Sequence, residues 1–158
     1  MFKYVFFCIV SFLCLGGLLT PKAFSSPFKA KTMNLPDMVN EFYRHFPESK
    51  KDGVMKFIFL PESKMIMVND KIYNNKRKAH GVCIPNDKTI TLNSTWWKRE
   101  TNNWRKLKVV FHELGHCELG LDHPSNVFAN EIMGYNINLV TDGSDWDYFV
   151  NKMKRKVK

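Results

Sequence analysis

The sequence predicts an α+β domain. Three observations carry this: helical apolar periodicity at both ends of the chain, short β-favouring runs between them, and one long helix after the runs. The chain has 158 residues and no internal repeat or low-complexity linker, so it reads as one domain. Pro36 suits a first helical turn, and Val39, Phe42, Tyr43 and Phe46 follow at helical spacing until Pro47. Lys56 to Leu60 and Lys64 to Val68 read as strands. Gly81 to Ile84 and Thr89 to Leu92 read as two more, separated by Pro85-Asn86-Asp87, with Trp96 and Trp97 at a strand end. Asn102 or Asn103 can cap the next helix, whose core stripe is Leu107, Val110, Phe111 and Leu114 and whose stop is Gly120. Ser144 opens a last helix with Trp146, Phe149, Val150 and Met153 on one face. Asp145 and Asp147 near its start and the basic tail at its end match the helix dipole.

The most informative segment runs from His112 to His123. His112 and His116 are four apart, so both imidazoles leave one face of the helix, off the core stripe, and can reach one metal ion. Glu113, beside the first histidine, can hold a metal's water and take its proton. Gly120 can turn the chain so that a third ligand returns, and a catalytic zinc needs three protein ligands and one open position. With 5 histidines in the chain, an HExxH arises by chance in roughly 0.7% of shuffled sequences. His45 and His80 have no such company and read as ordinary helix and strand residues.

Residues Tyr4 to Leu19 are uncharged and apolar or small, and Lys3 precedes them. Sixteen residues are short for a bilayer-spanning helix, which needs about 20, and fit the apolar region of a secretory signal. Ala23-Phe24-Ser25 places the cleavage after Ser25, leaving residues 26–158 as the mature domain; an uncleaved anchor is the alternative. The expected localisation is secreted or periplasmic. Losing Lys3 and Lys22 lowers the formal net charge from +9 to +7, a balance that favours anionic surfaces such as a cell envelope. Lys152, Lys154, Arg155, Lys156 and Lys158 concentrate that charge in the tail, where the ordinary reading is a solvated helix end. Cys83 and Cys117 are the two cysteines of the mature chain. In an oxidising compartment an even pair suggests a disulfide; the alternatives are two buried thiols, or Cys117 as a metal ligand.

Taken together, His112, Glu113, His116, Gly120 and His123, followed ten residues later by Met133 and then Tyr135, resemble the metzincin group of zinc peptidases. That group places a methionine turn under the metal. Upstream, His80 to Pro85 and Thr89 to Leu92 resemble the matrixin pattern of edge strand, turn and second strand, and Trp97 precedes the helix as a tryptophan does there. The resemblance implies a small metzincin-like zincin domain: a twisted mixed sheet, an active-site helix, the methionine turn and a C-terminal helix. It further implies one catalytic Zn2+ held by His112, His116 and His123, Glu113 as general base, and Tyr135 as an oxyanion or metal partner. Met133 and Gly120 would support the site, and the Gly81–Ile84 strand would be the edge that pairs with an extended substrate.

The spacing departs from the group's pattern. The third ligand usually lies ten residues after the first histidine, whereas His123 lies eleven after His112 and the glycine moves with it. Position ten is Asp122, and snapalysin-like metzincins use an aspartate there, so His123 and Asp122 compete for the role. No matrixin-type cysteine-switch segment and no histidine–aspartate cluster for a structural zinc are seen. The expected activity is that of a monomeric exported metalloendopeptidase acting on protein or peptide. A different class of function also fits: Trp96, Trp97 and Trp104 interleave with Lys98, Arg99, Arg105, Lys106 and Lys108, as in an exported basic module that binds nucleic acid or envelope polymer around a non-catalytic zinc. Glu113 favours the peptidase, because a structural zinc needs no base beside its ligand, and makes nucleic acid the less expected partner.

Overall fold

The computed structural model describes residues 32–52, 55–73, 78–126, 130–136 and 142–157. The predicted export segment, residues 1–25, lies outside them. Among the described residues no helix is long and apolar enough to cross a membrane.

The first helix, α1 (Leu35–His45), opens on a capping box. The Asn34 side chain accepts from the Asp37 N–H, and the Asp37 carboxylate accepts from the Asn34 N–H. Met38 and Phe42 are fully buried, and Phe46 follows just past the helix end. A short 3-10 turn (Pro47–Asp52) leads to strand β1 (Lys56–Leu60).

The segment expected as a second strand, Lys64 to Val68, is instead part of a helix, α2 (Glu62–Tyr73). The Pro61 carbonyl accepts from the N–H groups of Lys64 and Met65, which starts the first turn. Burial then follows the helical interval: Met65 and Asn69, four apart, are buried, while Met67 is 71% exposed. The run Met65-Ile66-Met67-Val68 is too short for composition to separate strand from helix, and tertiary packing decides.

Strand β2 (Gly81–Ile84), a 3-10 turn (Pro85–Asp87) and strand β3 (Thr89–Asn93) follow as predicted. β3 is central, and every one of its residues is buried. It pairs parallel with β1 (Lys56 opposite Thr89) and antiparallel with β2 (Gly81 opposite Leu92), giving a mixed three-stranded sheet with β2 at one edge. Trp96 and Trp97 do not end a strand. They sit on a short helix, α3 (Ser94–Arg99), because Asn93 caps it by accepting from the Trp96 N–H at 2.9 Å. His80 lies just before β2 rather than within it, although its carbonyl still accepts from the Asn93 N–H.

The long helix α4 (Asn103–Leu119) is capped by Asn102, whose side chain accepts from the Trp104 N–H. Leu107, Val110, Phe111 and Leu114 are all fully buried, as the stripe predicts. The last helix, α5 (Trp146–Lys154), buries Trp146, Phe149, Val150 and Met153. The core joins α1, β3, α4 and α5 through contacts such as Phe42 on Phe111 and Phe111 on Trp146.

Cys83 on β2 and Cys117 on α4 form a disulfide, which removes the free-thiol and metal-ligand alternatives. It spans a sequence separation of 34. On the chain-entropy account such a loop stabilises by about 4 kcal/mol. Replacing both cysteines with alanine should lower unfolding free energy by an amount of about that order, measured by denaturant titration; the oxidised and reduced wild type should differ in the same direction.

Candidate metal centre

Helix α4 holds two of the three histidines rigidly, and Gly120 returns the third. Gly120 adopts a left-handed conformation (φ 61°), and the N–H groups of Gly120 and Leu121 both bond back to the Gly115 carbonyl. That reversal brings the Leu121 carbonyl onto His116 Nδ1 and His123 onto the two helical histidines. The three Nε2 atoms form a near-equilateral triangle: 3.0 Å between His112 and His123, and 3.2 Å for each pair involving His116.

The protons can be placed by elimination. A carbonyl oxygen only accepts, so His112 Nδ1 must donate to Ile132 at 2.9 Å, and His116 Nδ1 must donate to Leu121. In the neutral rings both Nε2 atoms are then bare lone pairs. A proton on His123 Nε2 could satisfy one of them and not both. Burial, followed by repulsion from His116, drives His112 well below the ordinary histidine range. Burial also lowers His116, and it lowers His123 to about 4. Three neutral imidazoles therefore converge with at least one lone pair unmatched, an arrangement that a cation resolves. Tetrahedral zinc with imidazole bonds of about 2.0–2.1 Å sets its ligand nitrogens about 3.3 Å apart, close to the triangle seen. Among the described residues, this is the one group of three or more His, Cys, Asp or Glu side chains whose ligand atoms all lie within 4.8 Å of one another. Asp122 is exposed and outside it, acting on His116 and His123 only through its charge.

Glu113 is buried, and burial pushes its carboxyl up to about 8 against the pull of a backbone hydrogen bond from Cys83. Met133 lies in a tight turn, closed by the Gly134 N–H on the Glu131 carbonyl, and its sulfur packs against Gly115. Gly115 leaves room for two methionines: a Cβ there would stand 2.6 Å from both Met133 Sδ and Met153 Cε, so both side-chain ends would have to shift. The Tyr135 ring stacks on His123 with centroids 4.3 Å apart and is 57% exposed.

Two supporting residues escaped the sequence reading. Lys108, fully buried one helical turn before His112, donates from Nζ to the carbonyls of Gly134 (3.0 Å) and Asn136, on either side of Tyr135. Its signal was a lone lysine inside the apolar run Leu107 to Phe111. Buried Glu131 pairs with Lys156 and Lys152 at 2.5 and 3.7 Å, so part of the basic tail is structural rather than solvated. The tryptophans proposed as a binding platform have other occupations. His80 lies 4.4 Å from Trp96, Lys106 Nζ lies 5.3 Å from the Trp97 ring, and Trp104 packs on Trp146. His45 is bonded to Glu41 on its own helix.

Comparison with protein-family models, curated proteins and solved structures gave no match. The class the site defines therefore rests on this chain's own residues: a small α+β domain with a three-histidine group able to hold a metal ion.

The titrations of the site oppose one another without metal. The histidines lie below their ordinary 6.5 in the fold, so the unfolded chain binds more protons and stability falls as pH drops below 6.5. Glu113 lies above its ordinary 4.5, so the fold holds a proton that the unfolded chain releases, and stability falls as pH rises from 4.5 through about 8. Between 6.5 and 8 Glu113 dominates, because Lys108, lowered by burial to about 8, counteracts it fully only above that pH. Metal-free protein should be most stable near pH 6.5 and weaken toward pH 8, and Glu113→Gln should remove the alkaline decline. Thermal melts across this range would show it; a decline unchanged in Glu113→Gln would refute the assignment.

Proposed function

We propose that this protein is an exported zinc-dependent endopeptidase of metzincin type. The observation that carries the reading is the convergence of three imidazole Nε2 atoms, two of them bare lone pairs, beside a buried carboxyl that has no cationic partner among the described residues. A purely structural zinc is normally closed by four protein ligands, whereas three histidines leave one position open.

Zinc, when bound, supplies Lewis acidity, polarising a scissile carbonyl and making water acidic near neutral pH. His112 and His116 present Nε2 because their Nδ1–H groups are fixed on backbone carbonyls, which orients the rings before any ligand arrives. Glu113 accepts the proton of the attacking water on its carboxylate and returns it to the leaving amide nitrogen. A bound cation favours the ionised carboxylate, offsetting the burial that raises it. Tyr135, whose exposed ring stacks on His123, would donate from its hydroxyl to a developing oxyanion in this reading.

Strand β2 suits an extended peptide. His80 bonds to Asn93 across the ladder, and antiparallel alternation then assigns Val82 and Ile84 to β3 and turns the backbone groups of Gly81 and Cys83 outward, where the Cys83 backbone bonds to Glu113. The outward Gly81 backbone on this edge supports substrate docking by strand addition there. The disulfide supports an oxidising location. The net positive charge favours an anionic envelope surface as a neighbour. The reading takes one chain as the catalytic unit.

Elemental mass spectrometry of the dialysed protein should give about one zinc per chain, and Glu113→Ala should keep that ratio while peptide hydrolysis falls by about 10²–10⁴-fold. A folded protein that takes up no zinc, or a Glu113→Ala variant with full activity, would overturn the reading. His123→Ala should weaken zinc binding sharply, whereas Asp122→Ala should leave it nearly unchanged; the reverse order would make Asp122 the ligand.

A further inference from the structure

Glycine at position 81 is needed for space. An ideal Cβ built there would lie 2.6 Å from Glu113 Cγ, 2.7 Å from Oε1 and 2.9 Å from Cδ. These are three consecutive parts of one side chain, so the clash cannot be relieved by swinging only its tip. The surroundings leave little room for retreat. Glu113 is buried on a helix whose neighbouring residues are packed in the core. Its carboxylate is also held by the Cys83 backbone, two residues further along the same strand. β2 cannot easily back away either, because it is paired to β3 along its length and bonded to α4 through Cys83–Cys117.

We propose that Gly81 is a positioning residue for Glu113: its bare α-carbon is the wall against which the carboxyl rests, and with the Cys83 backbone it fixes where the proton acceptor stands beside the three histidines. The inference rests on the peptidase reading above. It goes beyond that reading by giving β2 a second task, support of the base as well as docking of a peptide. The three atoms nearest an alanine methyl at 81 all belong to Glu113, and none to the histidines or their carbonyl partners. Metal binding and proton transfer should therefore separate.

The test has two parts. The first is a thermal-unfolding cycle on metal-free protein with wild type, Gly81→Ala, Glu113→Ala and the double variant. Gly81→Ala should lower Tm by about 5 °C when Glu113 is present and have little effect when residue 113 is alanine. A Gly81→Ala chain that folds only in the Glu113→Ala background supports the proposal in the same way. Equal losses in both backgrounds, or failure to fold in both, would overturn it.

The second part uses zinc-loaded wild type and Gly81→Ala on a peptide substrate. Zinc stoichiometry and KM should hold while kcat falls about 10²-fold, the scale of a reacting group displaced by about 1 Å. An unchanged kcat, or a loss that tracks lost zinc, would reduce Gly81 to packing and overturn the proposal. Failure of the underlying reading looks different: zinc-loaded wild type itself would not turn over.

Discussion

Two backbone carbonyls hold the centre together. Those of Leu121 and Ile132 take the Nδ1 protons of His116 and His112 and so aim both Nε2 lone pairs at a single point. Much of the surrounding structure keeps these two oxygens in place. Gly120 bends the chain so that Leu121 returns to the helix it has just left. The turn carrying Ile132 is fixed by Lys108 from within α4, by Lys152 from α5 and by Lys156 just past its end, through Gly134, Asn136 and Glu131. Helices and loop thus form a frame around the imidazoles, and the sheet supports it from the side through β2.

The frame depends on charges placed in dry surroundings. Lys108 is buried, and the Gly134 and Asn136 carbonyls offer its ammonium two acceptors in place of water. Glu131 is buried and paired with two part-exposed lysines, Lys152 on the last helix and Lys156 just past its end. Glu41 is the same device on α1: burial raises its carboxyl, but His45 and Arg44 outweigh this and hold it down at about 2. Glu113 differs from all of them. With no cationic partner among the described residues to outweigh burial, its carboxyl moves upward, and unequal environments for chemically similar groups are what separate a base from a strut.

Much of this was legible in the sequence, because it follows from short-range periodicity. The stripe Leu107, Val110, Phe111, Leu114 and the stripe Trp146, Phe149, Val150, Met153 are both buried as read, and His112, His116 and Gly120 take the positions their spacing implies. The even pair of cysteines is bonded. What failed was local and ambiguous: the apolar run at Met65 to Val68 satisfies strand and helix alike, and the Asn93 cap turned the Trp96-Trp97 pair into a helix. What stayed hidden was long-range. Nothing near Lys108 in sequence announces carbonyls 26 and 28 residues away, and nothing near Gly81 announces Glu113. The choice between Asp122 and His123 also had to wait for the path of the chain after Gly120, which sets His123 Nε2 3.0 Å from His112.

The extra residue between His116 and Gly120 has a consequence of its own. One more helical residue rotates the exit of the chain by about 100° and lengthens the helix by about 1.5 Å, yet the triangle of nitrogens closes. The interval from Gly120 to His123 is three residues, the same as in the usual metzincin pattern. Measured against the pattern the sequence resembles, the additional residue falls on the helical side, and the phase between the left-handed residue and the returning histidine is the same. What brings the third imidazole back is thus its distance from the left-handed glycine, not its count from the first histidine.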